Sequence, residues 1–292
     1  VVVHKGRIIT ERYAEGIGKN TPLTGWSMSK SITGALIGTL VKEKGFDIHA
    51  PAPIPQWSSP TDPHNKVTTN QLMHMNYGGK WLEDYGSPSA ATKMLYLSKD
   101  MAAYTAQLPL EDVSDTFWLY SSGTTNLLSR ILKQELEDSL SLHWPYVSLF
   151  SKIGVTTALW ETDGTNTYVG SSYLWASARD WARMGLLYLQ DGVWGGERIL
   201  PEGWVEYTQE AAVGSKGSYG AQFWLNRGLP GAEEPRMPDC PKDIFYMSGF
   251  ENQRVLIIPS YDMVVVRLGQ DYYRNFDFNG FLSEILAAYQ TE

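Results

Sequence analysis

The stretch "RVLIIPSYDMVVVRLG" (254–269) limits the fold more than any other, because two β-branched runs flank the turn-forming Pro259-Ser260-Tyr261-Asp262. Runs of that kind around a turn read as a β-hairpin. The opening "VVVHKGRIITERYA" has the same form, with two apolar runs separated by Lys5-Gly6. "YGAQFWLN" (219–226) reads as a further strand. Strands thus gather at the two ends of the chain and helices fill the middle. That order predicts one antiparallel sheet built from both ends, flanked by helices, with a helical lobe from the middle. The expected class is a mixed α/β fold of the α+β kind.

The helical readings follow from apolar spacing and end signals. In "GWSMSKSITGALIGTLVKEKG" (25–45), Ile32, Leu36 and Leu40 recur every fourth residue. Lys42 and Lys44 sit where the helix dipole favours cations, and Gly45 can end the helix. A helix over about 27–43 is expected there. "APAPIPQWSSPTDP" (50–63) is too rich in proline for anything but a loop. Further helices are expected near 68–75, 91–106 and 124–138, interrupted by "NYGGKWLEDYGSPSA" (76–90). "SARDWARMGLLYLQDG" (177–192) carries the apolar stripe Trp181, Met184, Leu187 and Tyr188, with Gly192 as a stop, and "FLSEILAAYQ" (281–290) closes the chain as a helix. The whole chain, 1–292, is read as a single domain, with 1–60 and 165–292 in the sheet-bearing lobe and 61–164 in the mainly helical one. Val1 lies inside an apolar run and is not Met, so an N-terminal piece of the natural protein is expected to precede it.

Composition narrows the function classes. The net charge of −8, without a basic cluster, disfavours a nucleic-acid partner. No apolar run reaches the roughly 20 residues that a membrane span needs. Cys240 is the single cysteine, so no internal disulfide framework exists. The five histidines, at 4, 49, 64, 74 and 143, lack metal-ligand spacing, and neither a metal nor another cofactor is expected.

Ser27-Met28-Ser29-Lys30 places a serine and a lysine three residues apart at a helix start. Positions i and i+3 share a helical face, so the amine can reach the hydroxyl. A serine hydroxyl becomes a useful nucleophile only when something takes its proton, and lysine can do so only when neutral. The backbone N–H of Ser27 could then help hold a developing oxyanion. A simpler reading is open at this point: Ser27 caps the helix, Trp26 staples it and Lys30 is solvated. Two more stretches bear on the choice, Tyr120-Ser121-Ser122 before a helix and Met247-Ser248-Gly249 before the last hairpin. Taken alone, Tyr120 reads as a packed tyrosine and the glycine-ended triplet as a strand start.

Together these stretches resemble the serine β-lactamase and penicillin-recognising hydrolase superfamily, and within it the class C branch of β-lactamase-like esterases and 6-aminohexanoate-dimer hydrolases. "EDYGSPSA", "LYSSGTTNLLSRIL", "GSSYLWASARDWARMG", "GVWGGERILPEGWV" and "IIPSYDMVVVRLG" occur in the order that branch would show. The resemblance implies a metal-independent serine hydrolase that cleaves esters or linear amides through an acyl-enzyme. Ser27 would be the nucleophile, with Lys30 and Tyr120 as the acid–base pair. The N–H groups of Ser27 and Phe250 would form the oxyanion hole. Ser122, Met247, Ser248 and Gly249 would lie at the substrate, with Tyr85 and Tyr168 at the cleft mouth. Tyr120 would need nearby cations to lower its pKa if it is to act as a base.

Two departures stand out. Ser122 stands where penicillin-binding enzymes usually have asparagine, and Met247 where they usually have lysine or histidine. Methionine cannot bind a carboxylate, so efficient β-lactam hydrolysis is not expected. Trp81, Asp84, Tyr173, Trp175 and Trp224 are further candidates to line a cleft. A D-amino-acid peptidase, a weak β-lactamase and a non-catalytic binder of acyl-peptides are the alternatives on the same fold. The partner is a small ester or amide, with a homodimer left open. The resemblance points to a bacterial protein, undecided between envelope or periplasm and cytoplasm. No G-x-S-x-G occurs, which argues against a nucleophile-elbow hydrolase.

Overall fold

The structure, a computed structural model, describes residues 1–136, 138–228 and 235–289. Its centre is a six-stranded sheet that joins the two ends of the chain. Val2–His4 pairs with Arg7–Thr10 on one side and with Met263–Arg267 on the other. Gln253–Ile258, Phe245–Gly249 and Trp224–Leu225 follow outward in that order, every pairing antiparallel. Both expected hairpins are present, the second turning through Pro259–Tyr261 with Asp262 at φ 46°.

Both faces of the sheet are covered, which explains why its central strands read as nearly continuous apolar runs. Val255, Ile257, Val264 and Val266 face one core, together with Phe245 and Met247. Helix Ala178–Leu189 lies on that face through the stripe Trp181, Met184, Leu187 and Tyr188. Gly185 permits the contact, since a Cβ there would stand 2.7 Å from Val255 and 2.8 Å from Val264. The alternate residues Leu256, Ile258, Met263 and Val265 face the second core with Leu282 and Leu286 of helix Phe278–Tyr289. The last residue of the expected 281–290 helix lies outside the described residues.

The middle of the chain departs from the expected helices in instructive ways. The 91–106 segment forms two helices, Ala90–Leu97 and Met101–Ala106. Asp100 restarts the second by accepting from the Ala103 amide, and Ser89 caps the first in a capping box with Thr92. Thr68 caps Thr69–His74 in the same manner with Gln71. Ser122–Leu136 is the central helix of this region and packs on Ser29–Lys44. The 219–226 strand shrinks to Trp224–Leu225, because Gln222 at φ 63° turns the chain back so that Tyr219 bridges to Trp224. A small three-stranded sheet, Leu23–Thr24 with Leu174–Ala176 and Leu159–Trp160, had no counterpart in the sequence reading. Among the described residues no helix is long and apolar enough to cross a membrane.

Candidate active site

The first long helix begins later than its periodicity suggests. Trp26–Met28 is a 3₁₀ turn and the α-helix runs Ser29–Lys44, ending at Gly45 with φ 68°. Trp26 holds φ 47°, a left-handed conformation that costs a non-glycine residue energy. Ser29 secures the turn by donating to the Trp26 carbonyl at 2.7 Å and accepting from the Leu174 amide at 3.2 Å. Ser27 is therefore presented on a bent, pinned segment.

Strand Phe245–Gly249 presses directly on that segment. A Cβ on Gly249 would lie 2.1 Å from the Gly25 carbonyl oxygen, and a Cβ on Gly25 would lie 2.1 Å from the Trp181 ring. Only two glycines let the sheet edge, the turn and the covering helix meet this closely. Phe250 follows the strand end at once, and its ring lies 5.6 Å from that of Trp26. The segments that carry Ser27 and Phe250 are thus neighbours.

Lys30 is 1% exposed and spends its three donors on three oxygens. Nζ donates to Ser27 Oγ at 2.9 Å, to Ser122 Oγ at 3.0 Å and to the Ser171 carbonyl at 3.0 Å. Asn126 holds the Ser171 segment in place through reciprocal bonds with its amide and hydroxyl, both at 3.2 Å. Burial lowers the Lys30 pKa to about 8, against an opposing pull from the Glu83 charge. An amine in that range exists partly neutral near pH 7, which the solvated-lysine alternative did not foresee.

Tyr120 joins the group. Its ring centre is 4.9 Å from Lys30 Nζ, and Ser27 is among the groups that act on its phenol. Burial and then the Glu83 charge push the phenol well above its ordinary value, and Ser27, Arg254 and Arg236 pull only weakly the other way. The cations expected to lower Tyr120 are present but outweighed. Tyr120 rests as a neutral phenol beside the Lys30 amine.

The sequence reading missed Glu83. It singled out Asp84 in the same loop, yet Asp84 accepts from its neighbours Gly86 and Ser87 and stays with its own turn. Glu83 points inward and accepts from the Ser122 hydroxyl, from the Ser122 amide at 2.9 Å, from the Trp81 indole at 2.5 Å and from Tyr85 at 2.6 Å. The signal available was an acidic residue between two aromatics, Trp81 and Tyr85, in a glycine-broken loop. Tyr85 also stands 3.3 Å from Ser122 Oγ and edge-on to Phe250 at 5.5 Å. It therefore stands in the same group of side chains as Ser122 and Phe250.

Other candidates are placed differently. Tyr168 is not brought to the site: it donates to the Leu142 carbonyl at 2.7 Å, and its ring packs on Trp160 at 5.2 Å. Strand alternation turns Met247 into the core, where it is fully enclosed, so its side chain offers nothing to a ligand. Ser248 is half-buried and accepts from Arg254. Trp224 stacks on Tyr120 at 5.3 Å and Tyr173 approaches Trp26 at 5.9 Å, whereas Trp175 donates to Glu161 at 2.8 Å. Among the described residues no group of three or more His, Cys, Asp or Glu side chains could hold a metal ion.

Comparison with known proteins gives a consistent picture. The model of the family described as Beta-lactamase matches residues 1–141. A 6-aminohexanoate-dimer hydrolase of Paenarthrobacter ureafaciens is 23% identical over 301 residues, spanning 92% of this chain and 71% of that protein. A solved structure from Bacillus anthracis, provisionally assigned as a 6-aminohexanoate-dimer hydrolase, superposes with a TM-score of 0.79 at 25% identity, covering 99% of this chain and 77% of the other. EstA of Arthrobacter nitroguajacolicus Rue61a shares the fold at 16% identity with a TM-score of 0.68, covering 99% and 91%.

Proposed function

We propose that this chain, a hydrolase similar to the serine β-lactamase family, opens ester and linear amide bonds through an acyl-enzyme on Ser27. The observation that carries this reading is the enclosed Lys30 amine, 2.9 Å from Ser27 Oγ and depressed to about pKa 8. With that pKa, about one amine in ten is neutral at pH 7. Neutral Lys30 takes the Ser27 proton as Oγ attacks the substrate carbonyl. The N–H groups of Ser27 and Phe250 receive the oxyanion, a role suited to backbone donors held in fixed positions. Tyr120, a neutral phenol beside Ser27, passes its proton to the leaving oxygen or nitrogen and is reprotonated from Lys30. Water then attacks the acyl-enzyme by the reverse sequence.

Substrate preference follows from the same geometry. Met247 is enclosed in the core, so the sheet motif supplies no cation at its first position, and β-lactams are poor substrates in this reading. Trp26, Tyr85, Tyr173 and Phe250 form an aromatic mouth suited to an apolar acyl chain. We assign 1–60 with 165–292 to the sheet-bearing lobe and 61–164 to the helical lobe, with the site between them. The reading is tested by labelling with a fluorophosphonate, which should modify Ser27 and fail on Ser27→Ala. Turnover of p-nitrophenyl butyrate and of 6-aminohexanoate dimer should each exceed that of nitrocefin. Unlabelled wild-type protein would favour a non-catalytic binder, and faster nitrocefin cleavage a β-lactamase.

A further inference from the structure

The charged and neutral forms of Lys30 make different demands on the groups around it. Charged, the amine donates three times, to Ser27 Oγ at 2.9 Å, Ser122 Oγ at 3.0 Å and the Ser171 carbonyl at 3.0 Å. Neutral, it keeps two N–H bonds and carries one lone pair. The direction of that lone pair decides whether the amine can take a proton from Ser27. Lys30 is buried, so its protein partners set that direction.

Two of the three partners leave no choice. The Ser171 carbonyl can only accept, and Asn126 fixes its segment by bonding the Ser171 amide and hydroxyl, both at 3.2 Å. Ser122 has one hydroxyl proton and gives it to Glu83. The carboxylate has none to return, because the Ser122 amide, the Trp81 indole and Tyr85 all donate to it as well. Tyr85, the other group near that hydroxyl at 3.3 Å, spends its own proton on Glu83. Ser122 Oγ therefore meets Lys30 with lone pairs only and, like the carbonyl, requires an N–H. One direction is left for the lone pair of the neutral amine, and Ser27 lies along it.

We propose that Glu83, acting through the Ser122 hydroxyl, is a positioning residue that turns the lone pair of neutral Lys30 onto Ser27, an inference that rests on the acyl-enzyme reading above. As Ser27 Oγ bonds to the substrate carbonyl carbon, the carbonyl π pair moves to its oxygen and the Ser27 proton passes to the Lys30 lone pair. This role is separate from the pull of the Glu83 charge on Lys30. The charge affects how much of the amine is neutral, whereas the Ser122 proton decides where the neutral amine points. Without Ser122 Oγ, the productive direction buries an N–H that has no acceptor, and the amine gives that N–H to Ser27 instead.

The test is a double-mutant cycle of Ser122→Ala and Glu83→Gln, read as kcat and KM on p-nitrophenyl butyrate at about pH 9, where most of the amine is neutral. Ser122→Ala keeps the backbone bond to Glu83 and should lower kcat about tenfold or more with KM unchanged, the effect of one unmade buried hydrogen bond. Glu83→Gln should lower kcat about tenfold beside Ser122 but less than about twofold once residue 122 is alanine, since the orientation is then already lost. Near-native kcat in Ser122→Ala overturns the proposal, whether or not the Glu83 variants fold. So does a loss confined to KM, which would make Ser122 a substrate contact. Independent losses that multiply in the double variant also overturn it, because Glu83 would then act by a route other than Ser122. If the wild type does not cleave the ester, the hydrolase reading itself fails, an outcome distinct from these.

Discussion

Lys30 and Glu83 hold the same hydroxyl from opposite sides: Ser122 Oγ accepts from Lys30 Nζ at 3.0 Å and donates to the Glu83 carboxylate. The buried amine is thus joined through one proton-bearing group to a carboxylate that carries its charge to the site. The two effects on Lys30 have opposite signs, burial favouring the neutral amine and Glu83 the charged one. Burial wins, and the amine settles near 8 instead of its ordinary value of 10.5.

The first prediction concerns Glu83. Glu83→Gln removes the charge that raises the Lys30 pKa, so the amine should lose its proton at lower pH. The rising limb of kcat/KM against pH, expected near 8 in the wild type, should move to lower pH. Because glutamine has one acceptor oxygen where Glu83 uses two, two of its four donors lose their acceptor, and kcat should fall about tenfold as well. A limb that stays in place or moves upward would show that Glu83 does not act on Lys30.

Lys30 itself should be indispensable to turnover. Lys30→Met should lower kcat by about 10³ or more, the scale seen when one member of a catalytic group is removed. Near-native rates in this variant would disprove the proton-transfer scheme.

Stability should respond to Lys30 in the opposite sense. Its folded pKa of about 8 lies below the unfolded value of 10.5, so between these limits the unfolded chain binds more protons and stability rises with pH. The cost of burying the charged amine is full below pH 8 and is relieved as pH rises toward 10.5. Urea unfolding of wild type and Lys30→Met at pH 7 and pH 10 should show the wild type gaining about 2 kcal/mol relative to the variant over that interval. No relative gain would mean that the amine is not depressed.

Tyr120→Phe keeps the ring stacked against Trp224 and removes only the hydroxyl. Folding should be unchanged by circular dichroism, while kcat on p-nitrophenyl butyrate falls by about 10²–10⁴, the range of a lost general acid. Amide substrates should suffer more than p-nitrophenyl esters, whose leaving group needs little help.

Gly249 offers a purely structural check. In Gly249→Ala the new methyl would have to move the Gly25 carbonyl, which a Cβ would meet at 2.1 Å. Both stability and activity should fall, with a loss of about 2 kcal/mol on thermal or urea unfolding. Gly86→Ala, whose nearest neighbour would be Asp84 at 3.5 Å, should cost less than about 0.5 kcal/mol. Equal tolerance at both positions would contradict the close approach of the sheet edge to the Ser27 turn.

How much of this was legible beforehand differs from residue to residue. The two hairpins, the stripe of helix Ala178–Leu189 and the reach of Lys30 to Ser27 were all readable, because each depends on spacing within one element. Gly45 and Gly192 marked helix ends correctly, at φ 68° and 73°. The break at Asp100 was not seen, since a capping side chain competes with a helical pattern that otherwise continues. The contraction of the 219–226 strand escaped for a similar reason, as no local signal announces the turn at Gln222.

Sequence alone determined that strands from both ends of the chain would form one antiparallel sheet, and that a serine and a lysine would share the mouth of the first long helix. Backbone periodicity sets such relations before any two elements meet. Only the tertiary structure decided that Glu83 and not Asp84 receives the Ser122 hydroxyl, that Tyr168 packs on Trp160 and donates to the Leu142 carbonyl, and that Met247 is enclosed in the core. The direction of a loop side chain, and the partner that a strand residue finds on the next strand, are fixed by packing between distant segments, which spacing along one segment does not encode.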